Sequence, residues 1–272
     1  MKVPRSLNLF TKMYKYPLYA MTFLWRIPLK VYPSSEREFQ LALTFFPLVG
    51  FLEGFFIFLL AFVLLKILSG PILSLLLILT LFLLRGIFHL DGFSDTFDAL
   101  AYRGNLDPEE DRKKRLEIMK DSTIGVAGVT AVTFLLLSKF FLFQEVILQR
   151  EVKALILPFF LSRSLLMFIL YFAKPARKDG LGYLMFKLTD QKIFLLSLFV
   201  GFILLFLYFL IFPQLWLKDL LLISCINFLV IIYFQRLFSK NFGGLTGDNL
   251  GALIEISELV SLFYLGVLWP RL

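Results

Sequence analysis

The chain has almost no cysteine or histidine. Its 272 residues include one Cys, Cys225, and one His, His89. A single thiol excludes an internal disulfide, a CxxC redox pair and any zinc site built on cysteines. A single imidazole excludes zinc sites built on two or three histidines, and a Ser-His-Asp triad would have only His89 to use. Charge is scarce as well: 18% of residues are Asp, Glu, Lys or Arg, against about 25% in an ordinary soluble domain. Apolar residues make up 59%, Phe alone supplies 34, and the mean hydropathy is +0.82. So little polar surface cannot cover a soluble globule of this length, and so much apolar side chain does not stay disordered.

Long apolar runs take the place of the missing charge. A helix needs about 20 such residues to cross a bilayer core of roughly 30 Å. Seven stretches qualify, approximately Leu43–Ile67, Pro71–Phe88, Ile124–Ile147, Ala154–Phe172, Ile193–Phe212, Leu217–Phe234 and Ala252–Trp269. The second and sixth are short and read as tilted or re-entrant. The runs are continuous rather than alternating, which argues against a β-barrel. The expected fold is therefore all-α: a polytopic integral membrane bundle of about seven transmembrane helices. Residues 1–272 read as one membrane-embedded domain, with 43–272 forming the bundle. Residues 1–42 mix Lys and Arg with aromatics and with Pro4, Pro17 and Pro28, and they lack the apolar run and cleavage site of a signal peptide. They read as one or two helices lying on the membrane surface.

Orientation follows from the basic residues. Of 28 Lys and Arg, 21 fall in the N-terminal segment and the second, fourth and sixth connections, and only six in the alternate set, which includes Lys66, Lys139 and Lys153. This bias predicts a cytoplasmic N-terminus and an external C-terminus. It also accounts for the net charge of +8 through basic loops facing anionic lipid. No nucleic-acid motif, internal repeat or low-complexity linker is present. A multi-pass protein of the inner (plasma) membrane is expected.

The polar residues gather in a few places. The run HLDGFSDTFDAL, His89 to Leu100, holds Asp91, Asp95 and Asp98. Helical offsets of four and seven put the three carboxylates within roughly 60° of arc. There they repel by about 1 kcal/mol or more per pair. A divalent cation removes that conflict, and oxygen-only ligands suit Mg²⁺. His89 either orients a phosphate, acts as a base, or is an interfacial His bonded to a backbone carbonyl. Downstream, Asp107 reads as an N-cap followed by Pro108 at the first helical position. Glu117 and Asp121 lie four apart and, with Lys120 and Ser122, are placed to complete a metal or phosphate site. Asp121 has the alternative role of a cap. Arg163 lies inside the fourth span, where a charge costs about 2.5–3.5 kcal/mol or more, so its partner is a carboxylate or a substrate phosphate. Glu53, near Gly50 and Gly54, raises the same question. Arg177 and Lys178 sit on the glycine-containing loop ARKDGLG. In GGLTGDNLGALIEISEL, Asp248 is a cap or a ligand, Asn249 is read with it as substrate-binding, and Glu255 and Glu258 are acids inside an apolar helix.

These pieces resemble the cobalamin synthase family, also called adenosylcobinamide-GDP ribazoletransferases. The matching segments are WRIP at 25–28, FFPLVG at 45–50, FHLDGFSDTFDAL at 88–100, RLEIMKDSTIG at 115–125, SRS at 162–164, ARKDGLG at 176–182 and GLTGDNLGA with the following EISEL at 244–259. They occur in family order over nearly the whole chain. One departure is Ala99, where the family commonly has Gly. The resemblance implies a Mg²⁺-dependent membrane enzyme joining adenosylcobinamide-GDP to α-ribazole or its 5′-phosphate, with release of GMP. It implies that Asp91, Asp95, Asp98 and Asp121 hold the metal, with Asp98 or His89 as proton acceptor. Glu117, Lys120, Ser122, Arg163, Arg177, Lys178, Asp248, Asn249 and Glu255 would then contact substrate. Self-association, or association with other cobalamin-assembly enzymes, is a further expectation. A CDP-alcohol phosphotransferase uses similar physics, but its Ala-Arg after the second Asp group and its later Gly-x3-Asp-x3-Asp spacing are absent. A transporter would spread polar residues over the full membrane depth and carry inverted repeats, and the chain shows no such repeat.

Overall fold

A computed structural model describes residues 14–26, 30–104, 107–212 and 217–269. Among them the chain is helical throughout. The elements are α1 Lys15–Leu24, α2 Glu36–Leu43, α3 Phe46–Leu64, α4 Gly70–Arg85, α5 Phe88–Ala101, α6 Pro108–Ile118, α7 Val126–Leu148, α8 Ile156–Phe172, α9 Gly180–Leu188, α10 Gln191–Ile211, α11 Leu217–Phe242 and α12 Gly247–Phe263. Local chemistry sets many of the starts. Pro occupies the first turn of α3, α4 and α6, where its missing N–H costs nothing. Ser35, Asp107 and Asp190 cap α2, α6 and α10, and Thr246 forms a capping box with Asn249 at α12.

Among the described residues six helices are long and apolar enough to cross a membrane: α3, α7, α8 with its preceding 3₁₀ turn, α10, α11, and α12 with its extension to Leu268. The stretch expected as a second span is the 16-residue α4; it passes the same test only together with α5, from which it is bent by 94°. Gly86 makes that bend with a φ of 69°, a conformation that a side chain would disfavour. The expected sixth span is not short: α11 runs 26 residues to Phe242. Exposed side chains on the outer surface are apolar, among them Phe62, Phe134, Phe202 and Leu229, as a lipid environment requires.

The connections sort the helix ends into two faces. On one face, Arg26 N–H donates to Leu84 O, Gln40 Nε2 to Leu188 O, and residues 174–176 pair with Leu245. On the other, Gln149 Nε2 donates to Gly266 O and Tyr208 Oη to Lys153 O. Helices α1 and α2 belong to the first face. They bury Tyr19, Ala20, Leu24, Phe39 and Ala42 in the core, so they pack on the bundle rather than floating on lipid. The remainder of the expected surface segment, residues 1–13 and 27–29 with Lys2, Arg5, Lys12 and Pro28, lies outside the described residues.

Two apolar clusters fill the interior, and a polar layer separates them. Leu135 and Leu142, Leu166 and Leu161, Ile254 and Leu262 belong to opposite clusters on their respective helices. Between them come Lys139 on α7, Arg163 on α8, and Glu255 and Glu258 on α12, joined by Glu53 of α3 and Arg85 of α4. Three cations meet three carboxylates. Glu258 accepts from Arg85 at 2.7 and 2.9 Å, from Lys139 at 2.8 Å and from Arg163. Glu53 accepts from Arg163 at 3.0 Å and from Arg85, and Glu255 from Arg85 at 3.2 Å and from Lys139. Asn227 of α11 joins α12 in the same layer through Ser257 O and Ser261 Oγ. Lys139, in the alternate set of the orientation count, and Arg85, which was counted with the second connection, are therefore buried partners rather than loop charges. Removing one from each side leaves the bias standing.

Breaking such a buried set by deleting one partner costs about 3–5 kcal/mol, because the remaining charges stay buried and unneutralised. Glu258→Ala should therefore lower the thermal unfolding midpoint in detergent sharply or prevent folding. A midpoint equal to that of the unsubstituted protein would contradict the layer's role.

Candidate functional site

Helix α5 is the centre of the polar constellation. It turns off α4 at the bend and lies across the N-terminal ends of α7 and α12 instead of joining the spans. Close approach is possible because Gly92 has no side chain: a Cβ there would come within 2.7 Å of the Asp248 backbone. Asn249 Nδ2 then donates to Thr96 Oγ1 at 3.0 Å, and the side-chain oxygen of Asn249 accepts the Thr246 N–H. Asn249 is thus buried and engaged within the fold.

The three aspartates of α5 divide between two tasks. Asp98 accepts from the N–H groups of Gly125 and Gly128, at 2.8 and 2.7 Å. It caps α7 from a neighbouring helix, where the exposed N–H groups and the helix dipole favour a carboxylate. Asp91 and Asp95 remain on the side where α12 begins. Asp95 is pushed up to about 7, first by burial and then by the charges of Asp91, Asp248 and Asp98. Arg177 is the nearby cation: its guanidinium lies 3.7 Å from Asp248 and 3.4 Å from Asp179.

Oxygen donors without sulfur or imidazole suit Mg²⁺. Among the described residues no group of three or more Asp, Glu, His or Cys side chains is placed to hold an ion by itself. Mg²⁺ commonly takes one or two carboxylates and fills its remaining positions with water and substrate phosphate oxygens. Asp91, Asp95 and Asp248, whose charges act on one another, are the carboxylates from which one or two such ligands would come.

The other residues singled out by sequence are scattered. Asp121 accepts from the N–H and hydroxyl of Thr123, which hold its carboxyl below the usual range. Glu117 is exposed and pairs with Lys114 at 3.2 Å. Lys120 is exposed, 4.0 Å from Asp179, and Ser122 and Lys178 are exposed as well. Arg163 and Glu255 are buried in the charged layer, with their carboxylate and cation partners already described. His89 sits between layer and site, its Nδ1 3.7 Å from Glu255 Oε1 and without a hydrogen bond.

A cavity of about 440 Å³ opens beside Asp91 and Asp248. Arg85 and His89 also line it, with Tyr19 and Phe23 from α1, Leu166 from α8 and Met185 from α9. Sequence reasoning missed Arg85 and this apolar lining. The signal for Arg85 was a charge at the end of an apolar run, which reads equally well as a loop residue.

Replacing Asp98 by Ala should remove the cap on α7 and cost about 0.5–2 kcal/mol. The measurement is thermal unfolding with and without the substitution. An unchanged midpoint together with abolished turnover would show that Asp98 acts in chemistry rather than as a cap.

Comparisons with known proteins give the family of the chain. The family model described as cobalamin-5-phosphate synthase matches residues 17–266. A protein of Thermodesulfovibrio yellowstonii named adenosylcobinamide-GDP ribazoletransferase is 40% identical over 252 residues, covering 92% of this chain and 95% of its own. Proteins of the same name from Clostridioides difficile and Acinetobacter baumannii are each 34% identical, covering 91% and 90% of this chain and 95% and 94% of their own. No solved structure matches the chain. The family match spans both halves of the site, from the aspartates of α5 to the start of α12, and the chain belongs to the cobalamin-5-phosphate synthase family.

Proposed function

We propose that this protein joins adenosylcobinamide-GDP to α-ribazole or α-ribazole 5′-phosphate at the membrane surface, releasing GMP. The observation that supports the reading is the cluster of Asp91, Asp95 and Asp248, with Arg177 3.7 Å from Asp248, beside a cavity that Asp91 and Asp248 line. Phosphoryl transfer asks the protein mainly for positioning and charge neutralisation. Bound Mg²⁺ would supply electrostatic stabilisation of the diphosphate, held through one or two of Asp91, Asp95 and Asp248. Arg177, 3.7 Å from Asp248, and Lys178 next to it on the loop are placed to attract a phosphorylated donor.

In the reaction a ribose hydroxyl oxygen of the acceptor forms a bond to the phosphorus that carries the cobinamide arm. The phosphoanhydride bond to GMP breaks, and GMP leaves with the bonding electron pair. The hydroxyl proton passes to a carboxylate of the site.

The face carrying α1, α2, α5, α6 and α9 also carries most of the Lys and Arg of the loops. By that bias we place the site on the cytoplasmic side of the plasma membrane. Both substrates are polar and water-soluble, which agrees with access from that side.

Purified protein in lipid or detergent should release GMP from adenosylcobinamide-GDP only when acceptor and Mg²⁺ are both present. Release without acceptor, or undiminished by chelator, would contradict the proposal. Asp91→Ala should abolish this release while the protein stays folded in the membrane. Turnover of Asp91→Ala at the unsubstituted rate would remove Asp91 from the metal site.

A further inference from the structure

The cavity has walls of opposite chemistry. Its polar members, Arg85, His89, Asp91 and Asp248, come from the α4–α5 bend and the start of α12. The members contributed by α1, α8 and α9 are mostly apolar, Phe23, Leu24, Leu166, Leu181 and Met185 among them, with Tyr19 and Thr22 carrying the hydroxyls. The Thr22 hydroxyl in that wall lies 3.1 Å from the carbonyl oxygens of Tyr19 and Val31 and is engaged with them. Phe23 stacks on Phe46 at 5.8 Å and packs on Phe39 at 4.9 Å, so the apolar wall is preformed.

Three chemically distinct pieces must meet at this site under the reaction proposed above, on which this inference rests. The corrinoid, with its ring of amide arms, is far larger than the drug-sized ligands that fill cavities of a few hundred Å³. It has to stay at the open surface. Guanine presents a carbonyl, ring nitrogens and an amine along its edge. Buried against the apolar wall of Phe23, Leu166 and Met185, with the Thr22 hydroxyl already engaged, most of these would lose their water without compensation. The acceptor's base is different: benzimidazole is flat, aromatic and nearly without polar edge groups. It gains by burial against Phe23, Leu166 and Met185. Its ribose then lies toward the wall of Asp91 and Asp248, where the attacking hydroxyl is needed.

We infer that the cavity is the acceptor subsite: it takes the aromatic base of α-ribazole between α1, α8 and α9 and turns the ribose hydroxyls toward α5, while the nucleotide of the donor stays outside it with Arg177. Met185 and Leu181, one helical turn apart on α9, are then specificity-determining side chains.

The test is steady-state GMP release by the full chain in lipid nanodiscs, with each substrate varied in turn. Met185→Phe and Leu181→Trp reduce the space for the base. Leu181 is 64% exposed, so its replacement leaves folding intact even if that of Met185 does not. Each variant should raise the KM for α-ribazole by about tenfold and leave the KM for adenosylcobinamide-GDP within about twofold. A rise confined to the donor KM, or no change in either, overturns the inference. A second measurement needs no variant. Equilibrium binding of α-ribosides to the unsubstituted protein should favour benzimidazole over hypoxanthine by about tenfold or more. Equal binding means that the base lies elsewhere, as it would if a lipid chain filled the cavity. Absence of GMP release by the unsubstituted protein would be a failure of the reaction itself, separate from all of these results.

Discussion

Three carboxylates and three cations meet in the middle of an apolar bundle, and neither sign is stable there without the other. The cost of placing an ion in a low-dielectric interior is several kcal/mol even after relaxation, and it is offset only by close, well-directed partners. Glu53, Arg85, Lys139, Arg163, Glu255 and Glu258 supply one another with those partners from five helices. Apolar packing alone tolerates a helix turned or slid by part of a turn. The charged layer does not, because each such shift strands an ion. It therefore fixes the rotation and depth of α3, α4, α7, α8 and α12 together.

The placement of the site follows from that register. Arg85 ends α4 within the layer, so the bend at Gly86 starts from a fixed point, and α5 must leave across the ends of α7 and α12. Asp98 and Asn249 then fasten α5 to those two helices. Asp91 and Asp95 are left facing Asp248, with their mutual repulsion unresolved by any nearby Lys. Strong structural neutralisation below and unneutralised charge at the surface are thus features of the same arrangement. The first holds the second rigid, which is what a reaction that relies on positioning requires.

Much of this was legible in the chain. The apolar runs marked the spans because only a self-bonded backbone crosses lipid, and six of the seven stretches became full-length helices. The exception, Pro71–Phe88, blended into the next helix because hydropathy does not register a 94° bend. The three aspartates of α5 stood out by their helical spacing. Spacing alone could not say that Asp98 faces α7, since that depends on where residues 125–128 lie. Asn249 looked like a ligand for the same reason: its partner Thr96 is 153 positions away.

Composition, periodicity and charge bias determined that this is a helical membrane protein, roughly where it crosses, and which acidic residues were too costly to be incidental. These are properties of single segments, and a segment carries its own hydropathy, helical period and caps. Which charge neutralises which, which carboxylates remain free, and the shape of the cavity beside them were decided only by the tertiary structure. Those are relations between segments, and a pairing such as Arg85 with Glu258 comes into being only when two distant helices are packed in one register.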